Sequence, residues 1–254
     1  MASETITEYY SGQGYVSYSE RDSLGKPVGG LIDLGNCSKL ETKTTVERVE
    51  HNESQTGKGA VDAVFEKAQK VEINGTFDEF KRENLDLYIY GQSQELIGAT
   101  VTGEEIVAHL GRKAALSRMP ASFASLTDVG GATTYGESDY SVDPGTGLIT
   151  FATDASFDDG ATLEANYQAA AERVTTAFTK LNTYRWLRFD GLNRGSDNVP
   201  VVIEIYKARF DPAEMMDIIN EEYAEYSLNG MALYDRCYAD DSLYGGFMRI
   251  RVKQ

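Results

Sequence analysis

The stretch KLETKTTVERVEHNESQTGKGAVDAVFEKAQKVEINGT, residues 39–76, decides the fold. Its first limb, 39–50, mixes β-branched side chains with charges on both parities: Glu41, Lys43, Thr45 and Glu47 fall on one face of a strand, Thr42, Thr44, Val46 and Arg48 on the other. A polar tip, HNESQTGKGA, fills 51–60, and Val61 to Thr76 returns with Asp62, Glu66, Lys70 and Glu72 set against Phe65, Val71 and Ile73. The pattern reads as a long hairpin. A sheet with one wet face alternates apolar and polar residues cleanly, and an isolated hairpin is marginal in water. Two readings of the conflict stand open: a solvated, protruding hairpin, or a hairpin completed by neighbouring copies with one face against water in a shared lumen.

Toward the N-terminus, Tyr15, Val16 and Tyr18 and then Leu31 to Leu34 read as short strands about a Leu24-Gly25-Lys26-Pro27 turn. Toward the C-terminus, DEFKRENLDLYIY at 78–90 predicts a helix, with Leu85, Tyr88 and Ile89 on one face, Asp78 as N-cap and Gly91 at the C′ position. Residues 100–110 are thin in signals. From 111 to 171 the texture becomes a small all-β module, with strands at 140–142, 148–151 and 162–167 separated by Asp143-Pro144-Gly145 and Asp158-Asp159-Gly160 turns. Tyr184 to Phe189 and Val199 to Phe210 read as central strands. Asp211-Pro212 breaks the pattern, Tyr223 to Gly230 resumes it, and 247–253 alternates Phe247, Arg249, Arg251 and Lys253 against Met248, Ile250 and Val252. The expectation is a mainly β chain, with a core at 1–110 and 172–254 and an inserted module at 111–171.

Composition narrows the function. The 254 residues carry 24 basic and 40 acidic side chains, a net charge of −16, which disfavours capture of phosphate backbones by a basic groove. No apolar run approaches the ~18 residues that span a bilayer, and MASETITEYY lacks the charged and apolar regions of a signal peptide, so a chain made and kept in a cytosol is expected. Cys37 and Cys237 suit two reduced thiols. The only histidines, His51 and His109, have no partner at ligand spacing, and no G-x-S-x-G elbow presents a nucleophile. Asp154, Asp158 and Asp159 with Gly160 suggest a calcium loop, but Asp-Gly turns explain them as well. Gly12 and Gly14 make no dinucleotide fingerprint. Trp186, on a strand among apolar neighbours, reads as core. No enzyme, cofactor or metal is expected.

The chain resembles the major tail tube protein of long-tailed bacteriophages. The resemblance is carried by TEYYSGQG at 7–14, by the run from Leu34 to Gly91, by YRWLRFDGLN at 184–193, VVIEIYKARFDPA at 201–213 and YGGFMRIRV at 244–252. The module DYSVDPGTGLITFATDASFDDGATLEANYQAAA, 139–171, is similar to a β insert of some tail proteins. The resemblance implies a β-sandwich or partial barrel with one flanking helix at 81–90, assembled as stacked hexameric rings whose inner sheets fuse into one barrel. It makes 39–50 with 61–76 the inner hairpin and His51, Asn52, Glu53, Ser54, Gln55, Thr56, Gly57 and Lys58 the loop that reaches the adjacent ring. Candidate lumen-lining acids are Glu41, Glu47, Asp62, Glu66 and Glu72. Implied partners are further copies of itself, tail terminator, baseplate or distal tail and tape measure proteins, and genomic DNA passing without specific binding; no membrane is implied. The implied place is the virion tail, assembled in the host cytoplasm. The alternatives are a virion β-sandwich that binds carbohydrate through Tyr and Trp, and the tube of a phage-tail-like secretion system.

Overall fold

The computed structural model describes residues 9–55, 57–79, 81–180, 183–213, 216 and 218–253. Strands dominate it: β1 (Gly12–Arg21), β2 (Pro27–Asp33), β3 (Cys37–Asn52), β4 (Val61–Phe77), β5 (Gln92–Leu96), β6 (Ala99–Ala108), β7 (Lys113–Ala115), β8 (Pro120–Asp128) and β9 (Thr134–Tyr135). They continue with β10 (Tyr140–Val142), β11 (Leu148–Phe151), β12 (Ala161–Ala169), β13 (Glu172–Thr176), β14 (Arg185–Asn193), β15 (Val199–Phe210), β16 (Tyr226–Ala232) and β17 (Met248–Val252). The chain divides into two compact units, 1–92 with 176–254, and 93–175.

The first unit is an antiparallel sheet in the order β2-β1-β14-β15-β16-β4-β3, with β17 also on β15. β16 and β17 share one edge of β15, the former against Ala208 to Phe210 and the latter against Val201 to Ile205. The sheet curls, since Val16 of β1 and Val71 and Ile73 of β4 share a core with Leu187, Ile205, Phe210 and Leu228. Two local devices set its geometry. Asp197 and Asn198 take positive φ, 45° and 58°, and Val199 N–H bonds to the Ser196 carbonyl at 3.0 Å, a primed turn whose twist suits the β14–β15 hairpin. Gly14 stands opposite Gly191, where a Cβ would lie 2.2 Å from the Asp190 carbonyl oxygen, so β1 approaches β14 too closely for any side chain.

The helix expected over 78–90 is much shorter: a 3-10 turn at Arg82–Asn84 and one α-helical turn, α1 (Leu85–Tyr88). Phe80, within the expected span, lies outside the described residues. The side chains ahead of α1 are engaged elsewhere. Asp78 accepts from Asn36 Nδ2 at 2.6 Å, Glu79 from Asn36 N–H at 2.9 Å, and Asn84 Nδ2 donates to the Leu34 carbonyl at 3.1 Å, tying the 34–36 link instead of capping a helix. At the other end Tyr90, not Gly91, takes the left-handed conformation, and Gly91 N–H closes on the Asp86 carbonyl at 2.9 Å.

The second unit packs a four-stranded sheet, β6-β12-β8-β9, and a three-stranded one, β10-β11-β7, about Ile106, Leu126, Ile149, Phe151, Phe157 and Leu163. Its limits, 93 and 175, lie outside the 111–171 expected of the inserted module. The difference is β6, which pairs with β12 from Ala99↔Ala169 to Ala108↔Ala161. A bulge at Gly103, φ 69°, and the neighbouring Glu104 and Glu105 hide its alternation in the sequence. β5 and β13, which lead into and out of this unit, pair with each other.

Candidate functional site

The β3–β4 hairpin is anchored at one end only. β4 pairs with β16 from Val71 to Phe77, where Val71, Ile73 and Phe77 are buried in the core. Beyond Val71 the described pairing of β4 is with β3 alone, and β3 has β4 as its one strand neighbour. The far half exposes apolar side chains, Phe65 at 62%, Val64 at 54% and Val61 at 51%.

The register places the candidate acids. Lys43 stands opposite Glu72, Glu41 opposite Asn74 and Glu47 opposite Ala68, so Glu41, Glu47 and Glu72 share the face opposite Thr42, Thr44, Val71 and Ile73. The register then shifts between Glu47 and Arg48, passing over Lys67, and Glu66 meets Arg48 on the other parity. Asp62 is passed over in the same way by a second shift next to Asn52. The structure therefore unites three of the five and separates Glu66 from them by the bulge. All five have basic partners: Glu41 with Lys39 at 3.0 Å, Glu47 with Lys70, Glu66 with Arg48 at 4.0 Å, Glu72 with Lys43 at 3.4 Å, and Asp62 with His51 Nδ1 at 2.5 Å. The Lys70 hydrogen bond holds the Glu47 carboxyl below its ordinary value, and the same bond raises the Lys70 ammonium. Over 37–77 the sequence has seven acidic and six basic residues, so the hairpin is a lattice of alternating charge with a small negative excess.

The tip closes on itself. Glu53 N–H bonds to the Ala60 carbonyl at 2.8 Å, Glu53 Oε2 accepts from Gln55 N–H at 3.0 Å, and Gly57 and Gly59 take positive φ. His51, Asn52, Ser54, Gln55, Gly57 and Lys58 are exposed and Glu53 is half-buried; Thr56 lies outside the described residues. His109 meets Asp159 at 3.3 Å, while Asp159 also accepts from Leu110 N–H at 2.9 Å, which with His109 holds its carboxyl low. Among the described residues no three His, Cys, Asp or Glu side chains are grouped to hold a metal. Both cysteines are free, and Trp186 is buried. Among the described residues no helix is long and apolar enough to cross a membrane.

One cluster escaped the sequence reading. Glu204, 4% exposed in the middle of β15, accepts from Arg188 Nη1 at 3.0 Å, Arg249 Nε at 2.5 Å and Arg251 Nη2 at 3.3 Å, and Arg188 also grips Asp190 at 2.6 Å. The Arg249 guanidinium lies over the Tyr244 ring at 4.0 Å, and Tyr244 joins Tyr238, Tyr206 and Trp186 in a packed aromatic group. The signal was a lone Glu inside the most strand-like segment, facing the arginine parity of the last strand. On the core side of the sheet a groove of about 1150 Å3 opens between β3 and the strands β1, β14 and β15, lined by Leu40, Val16, Leu187, Phe189, Ile203 and Ile205.

These features define a mainly β chain of two units with a long half-anchored hairpin. It belongs to the family described as protein of unknown function UCP028589, whose model matches residues 9–251. No curated protein matches the chain.

Proposed function

We propose that this chain is the structural subunit of a tube, a major tail tube protein of a long-tailed bacteriophage, stacked as hexameric rings around a channel for DNA and without catalytic activity. The observation that carries the reading is the β3–β4 hairpin, sixteen and seventeen residues long, whose far half has exposed faces and unpaired edges in the single chain. A long, unprotected edge is a liability that a closed barrel of neighbouring copies removes. The mixed-sign hairpin, with seven acidic against six basic residues over 37–77, suits a lining over which a polyanion moves without being held, because release of condensed counterions needs unpaired cations. In the second unit Phe123, Tyr135 and Tyr140 are half-buried and Phe151, Phe157 and Tyr167 buried, so the carbohydrate-binding alternative would draw on exposed aromatics of the first unit such as Tyr9, Tyr15 and Tyr223. A secretion-system tube shares the architecture and differs in cargo.

The test is electron microscopy of the purified chain after prolonged incubation at high concentration, alone and with tail completion proteins. Rings or hollow rods are expected. A chain that remains monomeric by light scattering under all these conditions refutes the reading.

A further inference from the structure

The far half of the β3–β4 hairpin, Thr45 to Asn52 against Val61 to Lys70, lies past the last pairing of β4 with β16. Two strands without a third are marginal in water, because they bury too little apolar surface to offset the order imposed on them. Small cross-strand terms therefore decide whether this half is zipped or open.

One such term is apolar. Val49 stands opposite Phe65, but the two are 39% and 62% exposed, so their pairing removes little surface from water. The others are ionic. Glu47 bonds Lys70 across the strands, Arg48 meets Glu66 directly opposite at 4.0 Å, and Lys43 meets Glu72 at 3.4 Å at the anchored end. The bulge that passes over Lys67 lies between the first two, so that Glu47 with Lys70 holds one face and Arg48 with Glu66 the other, and Lys67 adds its own attraction to Glu47. Every side chain in the three pairs is at least 40% exposed, so dissolved ions reach them all. An exposed pair of this kind shifts an equilibrium by about 1.4- to 5-fold, and the effect fades as the Debye length contracts from about 30 Å at 0.01 M salt to about 3 Å at 1 M.

We infer that the far half of the hairpin is an ionic-strength switch, zipped at low salt by its cross-strand ion pairs and open at high salt, while the near half stays closed on the core. The near half is insulated because Val71, Ile73 and Phe77 are buried and β16 supplies a third strand. Opening dissolves the described strand pairing of 45–52 and 61–70, so a chain in concentrated salt offers a partner no preformed strands at this end. The switch is a property of the single chain and does not depend on the tube reading.

The experiment is amide hydrogen exchange of the full chain, read by mass spectrometry in 0.01 M and 1 M sodium chloride at constant pH, at a concentration where light scattering shows single chains. Peptides from 45–52 and 61–70 are expected to exchange about tenfold faster in 1 M salt, two pairs at about threefold each, and peptides from 71–77 at an unchanged rate. Glu47→Gln is expected to speed exchange of the far half already in 0.01 M salt. A variant with Glu47→Thr, Lys70→Thr, Arg48→Thr and Glu66→Thr, which keeps β-branched side chains on both limbs, is expected to lose the salt response. Exchange of the far half that is unchanged or slower in 1 M salt overturns the switch and makes the Val49 and Phe65 contact the closure, since salt does not screen apolar burial. Equal acceleration in 71–77 overturns it as a general loosening of the sheet, and a salt response that survives the four threonines overturns it by placing the charges that matter elsewhere.

Discussion

Phe77 and Phe65 lie in the same strand, one 1% exposed in the core and the other 62% exposed on the free half of the hairpin. Phe77→Ala removes a ring from a packed interior and is expected to cost about 3–5 kcal/mol, read as a lowered urea midpoint. Phe65→Ala is expected to change the stability of the single chain by less than about 0.5 kcal/mol while reducing assembly in light scattering. Equal losses of stability from the two substitutions would mean that the far half of the hairpin is packed in the free chain. At this scale the sequence was partly legible. Phe77 and Phe65 have similar strand contexts, and what separates them is β16, a strand distant in sequence that pairs with one half of β4 and not the other. Glu204 was hidden for the same reason, since its three guanidiniums come from β14 and β17.

Among elements, the hairpin was plain from the residues because its limits are set locally, by β-branched limbs and a glycine-bearing polar tip. Its faces were not, because the bulge at Lys67 reverses the alternation without any proline or glycine to announce it. The helix was over-read because its apolar spacing is real, whereas Asp78, Glu79 and Asn84 are engaged by the 34–36 link that only the folded sheet brings near. Deleting Asn52 to Lys58 and closing with a short turn is expected to leave the far-ultraviolet circular dichroism and urea midpoint unchanged, since the described residues of this segment are exposed apart from the half-buried Glu53, and to block tube extension in electron microscopy. Unimpaired tubes would show that the tip is merely solvated. The turns of the second unit carry a pH dependence. Ser156 and Gly136 N–H groups hold Asp139 low, Thr146 and Gly145 hold Asp143 low, and Arg118 holds Glu172 low. Their folded values lie below the unfolded ones, so the unfolded chain binds more protons in acid. Their contribution is complete above the ordinary carboxylate range near about 4 and is lost as pH falls through the lower folded values. The urea midpoint should be flat from neutrality down to that range and then drop, and Glu172→Gln should shrink the drop; an unchanged drop would show that Glu172 does not contribute to it.

For the whole molecule, the insert was expected at 111–171, whereas the second compact unit runs over 93–175; it takes in β6, which carries no clean period in the sequence. The strands β5 and β13 bring the entry and exit of the second unit side by side, with the Thr176 hydroxyl donating to the Gln92 carbonyl at 3.3 Å. Joining Gln92 to Thr176 and removing 93–175 is expected to leave the first unit folded, with cooperative urea unfolding. The removed segment holds four basic and twelve acidic residues, so the net charge moves from −16 to −8 and the protein should elute from an anion exchanger at lower salt. Loss of cooperative unfolding would mean that the first unit needs the second to fold.

Trp186 is the single tryptophan of the sequence, buried at 5% with the rings of Tyr206 and Tyr238 at 5.1 and 5.6 Å. The molecule thus contains one chromophore that emits at long wavelength, fed by adjacent phenols and seated wholly in the first unit, while the second unit is dark in that channel. Emission on denaturation reports one unit and circular dichroism both. Curves that separate between the two probes would reveal units that melt independently, and curves that coincide would reveal a single cooperative transition.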